Sequence, residues 1–123
     1  MEKIKIYTNA NCPYCKTIKE RLNSENIEFN EFLTSEYPDI WREVSGLTGM
    51  PTVPTIEFKK ELLIPSRDYS NPNHLIKILQ EIKESKEPYN RRVFEKLKTL
   101  NFNINMAFVK LDKTLRDIEN KIK

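Results

Sequence analysis

Apolar residues recur along the chain with two periods, and the switches between them lay out its elements. Ile4 and Ile6 alternate with Lys3 and Lys5 over residues 3–8, the period-2 signature of a strand. A polar break, Asn9-Ala10-Asn11, follows. Cys15, Ile18 and Leu22 then share one helical face, with Lys16, Lys19, Glu20 and Arg21 off it. Pro13 suits the first turn of that helix, where no backbone N–H is needed, and Asn23 to Asn26 end it. Ile27 to Phe32 reads as a second strand, Ile27 and Phe29 on one face. Ser35 is the expected N-cap of a second helix. Its buried stripe is Ile40, Val44 and Leu47, and Gly46 and Gly49 mark its end. Thr55–Phe58 and Glu61–Ile64 are short strands around a Lys59-Lys60 turn. Asn71-Pro72, an N-cap followed by proline at the first helical position, opens a third helix lined by Leu75, Leu79 and Ile82.

The order strand, helix, strand, helix, strand, strand, helix predicts early parallel pairing with an antiparallel hairpin added later. That is an α/β fold with a four-stranded mixed sheet flanked by helices.

A different pattern begins near Pro88. Val93, Leu97, Leu100 and Ile104 are spaced 4, 3, 4, and Phe108, Leu111, Leu115, Ile118 and Ile122 continue at 3, 4, 3, 4. The join from Ile104 to Phe108 breaks a strict heptad beside Asn101–Asn105, a run of poor helix formers. The expectation is either two helices with a hinge there or one long helix with a stutter. The chain thus divides into a domain at 1–86 and a helical C-terminal extension at 87–123. Each fully buried Leu or Ile is worth about 1.5–3 kcal/mol, so the stripe calls for a cover. It can fold back on the domain, dock on a partner protein or pair with a second copy, and a homodimer through residues 88–122 is the expected outcome.

Charge sharpens this division. Residues 1–87 carry 12 Lys+Arg against 14 Asp+Glu, and residues 88–123 carry 9 against 4, so the ends differ in sign at −2 and +5. The basic residues of the extension lie on the solvated side of an amphipathic pattern, so nucleic acid is not an expected partner. With 32% charged residues and no long apolar run, the chain reads as globular, without a signal peptide or membrane span, and its expected location is cytoplasmic.

The two cysteines, Cys12 and Cys15, are the only ones. A structural disulfide has little use in a reducing cytosol, and a bridge over so short a loop constrains the unfolded chain little. A zinc site would want about four ligands, and His74 is the only further strong candidate, read instead as a surface residue. Disulfide exchange needs a thiolate. Cys12 stands where the first strand gives way to the first helix, and the positive end of a helix favours that thiolate. Cys15 lies about a turn further in. Cys12 is therefore expected to attack and Cys15 to resolve. Tyr37 and Trp41 read as a packed pair on helix two.

Cys12-Pro13-Tyr14-Cys15 after a first strand, with Thr52-Val53-Pro54 about forty residues later, resembles the glutaredoxin family of the thioredoxin fold. The resemblance covers residues 1 to about 86 and extends, at Thr-Val-Pro-Thr-Ile and Arg67-Asp68, to glutaredoxins encoded by bacteriophages, whose location would be the host cytoplasm. It implies a glutathione-dependent thiol–disulfide oxidoreductase acting on protein disulfides and glutathione mixed disulfides. Ribonucleotide reductase is an implied partner, glutathione is the implied co-substrate, and no metal is expected.

The resemblance further implies a cis Pro54, a Val53 backbone that pairs with glutathione beside Thr52, and Tyr14 flanking the exposed sulfur. Asn9 stands where the family has a lysine, which removes a charge that Arg42 or Lys16 is expected to supply. The family's glycine-glycine turn is replaced by Ile64-Pro65-Ser66-Arg67-Asp68. There the backbone N–H groups of Arg67 and Asp68 are expected to hold the γ-glutamyl carboxylate, and the Asp68 side chain its ammonium group. Two other readings are a glutathione-ligated iron–sulfur carrier, which Pro13 disfavours, and an interaction module working through the C-terminal helices.

Overall fold

The computed structural model describes residues 3–82 and 91–122, so the expected boundary between residues 86 and 87 lies outside the described residues. The elements are β1 (Ile4–Thr8), α1 (Pro13–Ser24), β2 (Phe29–Leu33), α2 (Pro38–Thr48), β3 (Thr55–Phe58), β4 (Glu61–Leu63), α3 (Pro72–Glu81) and α4 (Arg91–Ile122). The four strands form one sheet in the order β2-β1-β3-β4. β1 pairs with β2 in parallel, Ile4 opposite Phe29, and the β1–β3 and β3–β4 pairs are antiparallel.

The alternation along β1 decides the layers. Ile4 and Ile6 point to the side where Ile18 and Leu22 of α1 and Leu75, Ile76 and Leu79 of α3 close the main core. Tyr7 points to the other side, with Val44 and Leu62 and, around them, Phe32, Trp41 and Leu47. Tyr7 stacks on Phe32 at 5.5 Å between ring centres and lies 6.0 Å from Trp41, and Phe32 meets the edge of Tyr37 at 5.1 Å. Tyr37 and Trp41, expected to pack on each other, thus each engage a strand aromatic.

Helix boundaries follow the local capping rules where a proper cap is present. α1 begins at Pro13 and α3 at Pro72, with the Asn71 side chain accepting the His74 N–H at 2.8 Å. α2 departs from expectation. It starts at Pro38 rather than after Ser35, and its N-cap Tyr37 makes no side-chain cap bond. The proline ring fixes the start instead. Its buried face is Val44 and Thr48, with Ile40 exposed and Gly46 inside the helix. Gly49 alone forms the end, at φ 73°, a conformation glycine adopts without a Cβ clash. β2 begins two residues later than expected because Asn26 turns through φ 56° and Ile27 donates its N–H to Leu22 O at 2.9 Å. Ile82, expected to line α3, is its C-cap. The β3–β4 hairpin turns on Lys59 and Lys60, both left-handed at φ 50° and 65°, the twist that a two-residue hairpin requires.

The C-terminal region is one helix, and it meets the domain through a face other than the one its apolar pattern suggests. Glu95 and Thr99 are buried, while Leu97, Leu100, Ile104 and the rest of the stripe are exposed. At about 100° per residue, the stripe lies on the opposite side of the helix from Glu95, Lys98 and Thr99. Fold-back of the stripe onto the domain is therefore excluded.

The reason is the surface being covered. β4 is an edge strand, and an edge presents unpaired backbone N–H and C=O groups rather than apolar side chains. The Glu95 carboxylate accepts the Leu62 N–H at 3.2 Å, and Lys98 Nζ and Arg67 Nη2 donate to Leu62 O at 3.0 and 2.8 Å. Thr99 Oγ1 donates to Thr48 O at 2.6 Å, and Arg91 pairs with Glu57 at 2.9 Å. No helix among the described residues is long and apolar enough to cross a membrane.

Candidate active site

Tyr7 pairs opposite Thr55. The loop that leaves β1 and the loop that enters β3 therefore emerge at the same end of the sheet. The first leads to Cys12 and the second ends in Val53-Pro54.

Cys12 is the N-cap of α1, in extended backbone at φ −108° and ψ 104°, and its Sγ accepts the Cys15 N–H at 3.1 Å. Sulfur occupies the place usually taken by a Ser, Thr or Asp oxygen. No acidic residue lies in the first turn, so the positive end of the helix acts on this sulfur uncompensated and favours its thiolate when reduced. The approach is shaped by Asn9. Its carbonyl accepts the Cys12 N–H at 3.3 Å and its Oδ1 accepts the Asn11 N–H at 3.0 Å. Cys12 is half-buried and Cys15 is 1% exposed. The two are joined as a disulfide with Cα atoms 5.2 Å apart, the oxidised form of a dithiol pair.

The Val53–Pro54 peptide is cis, as the resemblance implies. Thr52 and Val53 are half-buried and Pro54 is buried. The loop is tied from both ends: Thr55 Oγ1 donates to Thr52 O, and the Thr52 N–H donates to Met50 O at 2.8 Å. The Tyr69 hydroxyl donates to Pro54 O at 3.1 Å from a site where only 1% of the residue is exposed. Burial, with the nearby Tyr14 and Asp68, pushes the Tyr69 phenol well above its ordinary value, so it stays a donor at neutral pH. Tyr14 is half-buried against the main core, and its phenol is likewise raised by burial.

The foot of the cysteine loop is pinned by a small polar bridge. Thr8 Oγ1 and Lys19 Nζ both donate to Glu31 Oε2 at 2.7 Å, and the Thr34 N–H donates to Thr8 O at 2.9 Å. The Lys19 hydrogen bond, opposed by partial burial and aided by Thr8, holds the Glu31 carboxyl below its ordinary value. A folded value below the unfolded one adds stability above the ordinary glutamate range near pH 4.5 and loses it as the pH falls through the folded value. Urea unfolding of wild type and Glu31→Gln should therefore differ by up to about 1 kcal/mol at pH 7, and the difference should shrink as the pH is lowered below 4.5. A difference that persists unchanged at the lower pH would contradict this assignment.

Arg42 and Lys16 are exposed. The Arg67 guanidinium is 1% exposed and is held by Asp68 at 2.7 Å and Glu95 at 2.7 Å. Asp68 and Ile64 exchange both backbone-directed bonds: the Asp68 N–H donates to Ile64 O at 2.9 Å, and the Ile64 N–H donates to Asp68 Oδ2 at 2.8 Å. The Asp68 N–H and Oδ2, expected to face a γ-glutamyl end, thus also close the turn after β4. Ser66 takes φ 72° in that turn, a left-handed conformation that glycine adopts freely. His74 is exposed, and its Nδ1 accepts the Ser70 N–H at 3.2 Å. Among the described residues no three His, Cys, Asp or Glu side chains gather around a metal-sized site.

Three positioning residues escape the sequence reading: Tyr69, Thr48 and Glu95. Thr48 Oγ1 accepts the Met50 N–H at 3.1 Å, and Met50 in turn holds Thr52. Since Thr99 of α4 donates to Thr48 O, a hydrogen-bonded path runs from the C-terminal helix to the residue before Val53-Pro54. The one local hint is Tyr69 itself, an aromatic within a polar turn.

Comparison with known proteins agrees with this geometry. The sequence profile described as Glutaredoxin matches residues 4–63. A glutaredoxin of Pseudomonas aeruginosa is 36% identical over 56 residues, 46% of this chain and 67% of that protein. An uncharacterized glutaredoxin-like 8.6 kDa protein in the rubredoxin operon of Clostridium pasteurianum is 33% identical over 61 residues, 50% of this chain and 81% of that protein. The crystal structure of a glutaredoxin from Archaeoglobus fulgidus superposes with a TM-score of 0.53 at 21% identity, covering 65% of this chain and 88% of that one, which shows the shared thioredoxin-like fold.

Proposed function

The chain belongs to the glutaredoxin family, and on that premise we propose that it is a dithiol thiol–disulfide oxidoreductase recharged by glutathione. The observation that carries the reading is Cys12 at the N-cap of α1, half-exposed, with Cys15 buried one turn behind it and the cis Val53–Pro54 loop at the same end of the sheet.

The Cys12 thiolate attacks one sulfur of a substrate disulfide. A mixed disulfide forms, and the other substrate sulfur leaves as a thiolate that takes up a proton. Cys15, deprotonated, attacks the Cys12 sulfur, the second substrate thiol is released, and the Cys12–Cys15 bond forms. The substrate has gained two electrons and the dithiol has lost two. One glutathione thiolate then opens the protein disulfide at Cys12. A second takes that glutathione off as glutathione disulfide, which restores both thiols. The peptide groups of Val53 beside cis Pro54 are suited to pair, strand-like, with the cysteinyl part of glutathione. A ribonucleotide reductase, whose turnover leaves a protein disulfide, is a substrate of the right chemistry.

The test is NADPH consumption with glutathione, glutathione reductase and the mixed disulfide of glutathione and 2-mercaptoethanol. Steady turnover is expected. Recharging by thioredoxin reductase, with none by glutathione, would sink the glutathione part of the proposal.

A further inference from the structure

We propose that α4 pairs in parallel with α4 of a second copy of this chain, through the apolar stripe opposite its docked face. Every residue from Asn103 to Ile122 is exposed, and a helix in a protein draws most of its stability from packing its apolar face. The stripe is two residues wide per seven, at Phe108, Leu111, Leu115, Ile118 and Ile122. That width is covered by one other helix with the same repeat, and it is too narrow for a sheet face or a bilayer. α4 itself supplies such a repeat in a second copy.

The area agrees. These five residues are 49–79% exposed, so pairing two such stripes removes on the order of 1,000 Å² from water, the threshold of a specific interface. The docked face remains engaged with β4 throughout, because it lies on the other side of the helix.

The borders of the stripe choose the direction. Asp112 and Glu119 flank one side, and Ala107, Thr114 and Lys121 flank the other. Parallel pairing sets Asp112 and Glu119 of one helix against the uncharged Ala107 and Thr114 of its twin. Antiparallel pairing sets acid against acid, which like-charge repulsion disfavours. A parallel pair holds both redox domains side by side at the same end.

Sedimentation equilibrium on the full chain tests this. The expected mass is twice 14.6 kDa at about 100 µM, a concentration at which even a micromolar Kd gives mostly dimer. Leu111→Glu/Leu115→Glu is expected to sediment at the single-chain mass, which from a micromolar Kd requires a weakening of about a thousandfold. These positions are exposed, so the fold should survive, and an unchanged near-ultraviolet circular dichroism signal from Trp41 and the tyrosines, which lie outside α4, confirms it. Lys113→Glu, off the stripe, should remain a dimer. For direction, Asn103→Cys in a Cys12→Ser/Cys15→Ser background is spin-labelled. A label distance of about 20–25 Å supports the parallel pair, and one above about 35 Å, as the 1.5 Å rise dictates for antiparallel helices, overturns it. A monomeric full chain at this concentration, or a mass above the dimer, overturns the proposal.

Discussion

Cys12→Ser is expected to lower turnover by on the order of 10³-fold or more on protein disulfides and on glutathione mixed disulfides alike, because a serine hydroxyl neither ionises at neutral pH nor forms the mixed disulfide through which exchange runs. Cys15→Ser is expected to divide the two activities. A protein mixed disulfide on Cys12 needs Cys15 to release it. A glutathione adduct on Cys12 is resolved by a second glutathione from solution. Burial argues the same roles. A substrate disulfide can approach the half-exposed Cys12, whereas Cys15 at 1% exposure is reached by Cys12 from within. The glutathione-coupled assay with both substrates checks this. Wild-type turnover in Cys12→Ser, or equal losses on both substrates in Cys15→Ser, would show the roles to be wrongly assigned.

Glu95→Ala is expected to cost about 3–5 kcal/mol of stability, the usual loss when one member of a buried ion pair is removed. Glu95 is 0% exposed and its carboxylate holds three groups: Arg67 at 2.7 Å, Lys98 at 3.3 Å and the Leu62 N–H at 3.2 Å. Without it, the Leu62 N–H is left on an edge with no acceptor, and the buried Arg67 keeps only Asp68 as a counter-charge. The size of the effect comes from stranding these groups, so Glu95→Ala/Arg67→Met should cost less than the two single changes added together. Urea unfolding of the three variants measures both quantities. A loss below about 1 kcal/mol for Glu95→Ala would mean that this contact does not hold α4 to the sheet.

What was legible in the sequence is what neighbouring residues decide among themselves. Pro13 and Pro72 start helices because a proline ring suits the first turn, Asn71 caps because its oxygen reaches an N–H three residues on, and Gly49 ends α2 because the left-handed turn there is open to it. Cys12 and Cys15 belong to the same class, since their separation along a helix sets which one is exposed. The start of α2 differs from expectation for a local reason as well: Ser35 and Pro38 compete as start signals, and the rigid ring prevails.

The tertiary structure alone decided which face of α4 meets the domain. Periodicity identified an apolar stripe correctly, but periodicity describes one surface and docking requires two. The partner surface is the open edge of β4, which offers the N–H and C=O of Leu62, so the face that fits it carries Glu95, Lys98 and Thr99. Glu95 and Leu62 are 33 residues apart, Thr99 and Thr48 are 51 apart, and Tyr69 and Pro54 are 15 apart. No short-range rule links such residues. The sequence determined by itself where helices begin and which sulfur faces out, because those follow from contacts within a turn. The anchoring of the last helix, and the tether on cis Pro54, exist only once the sheet has closed and its edge presents backbone groups that must be satisfied.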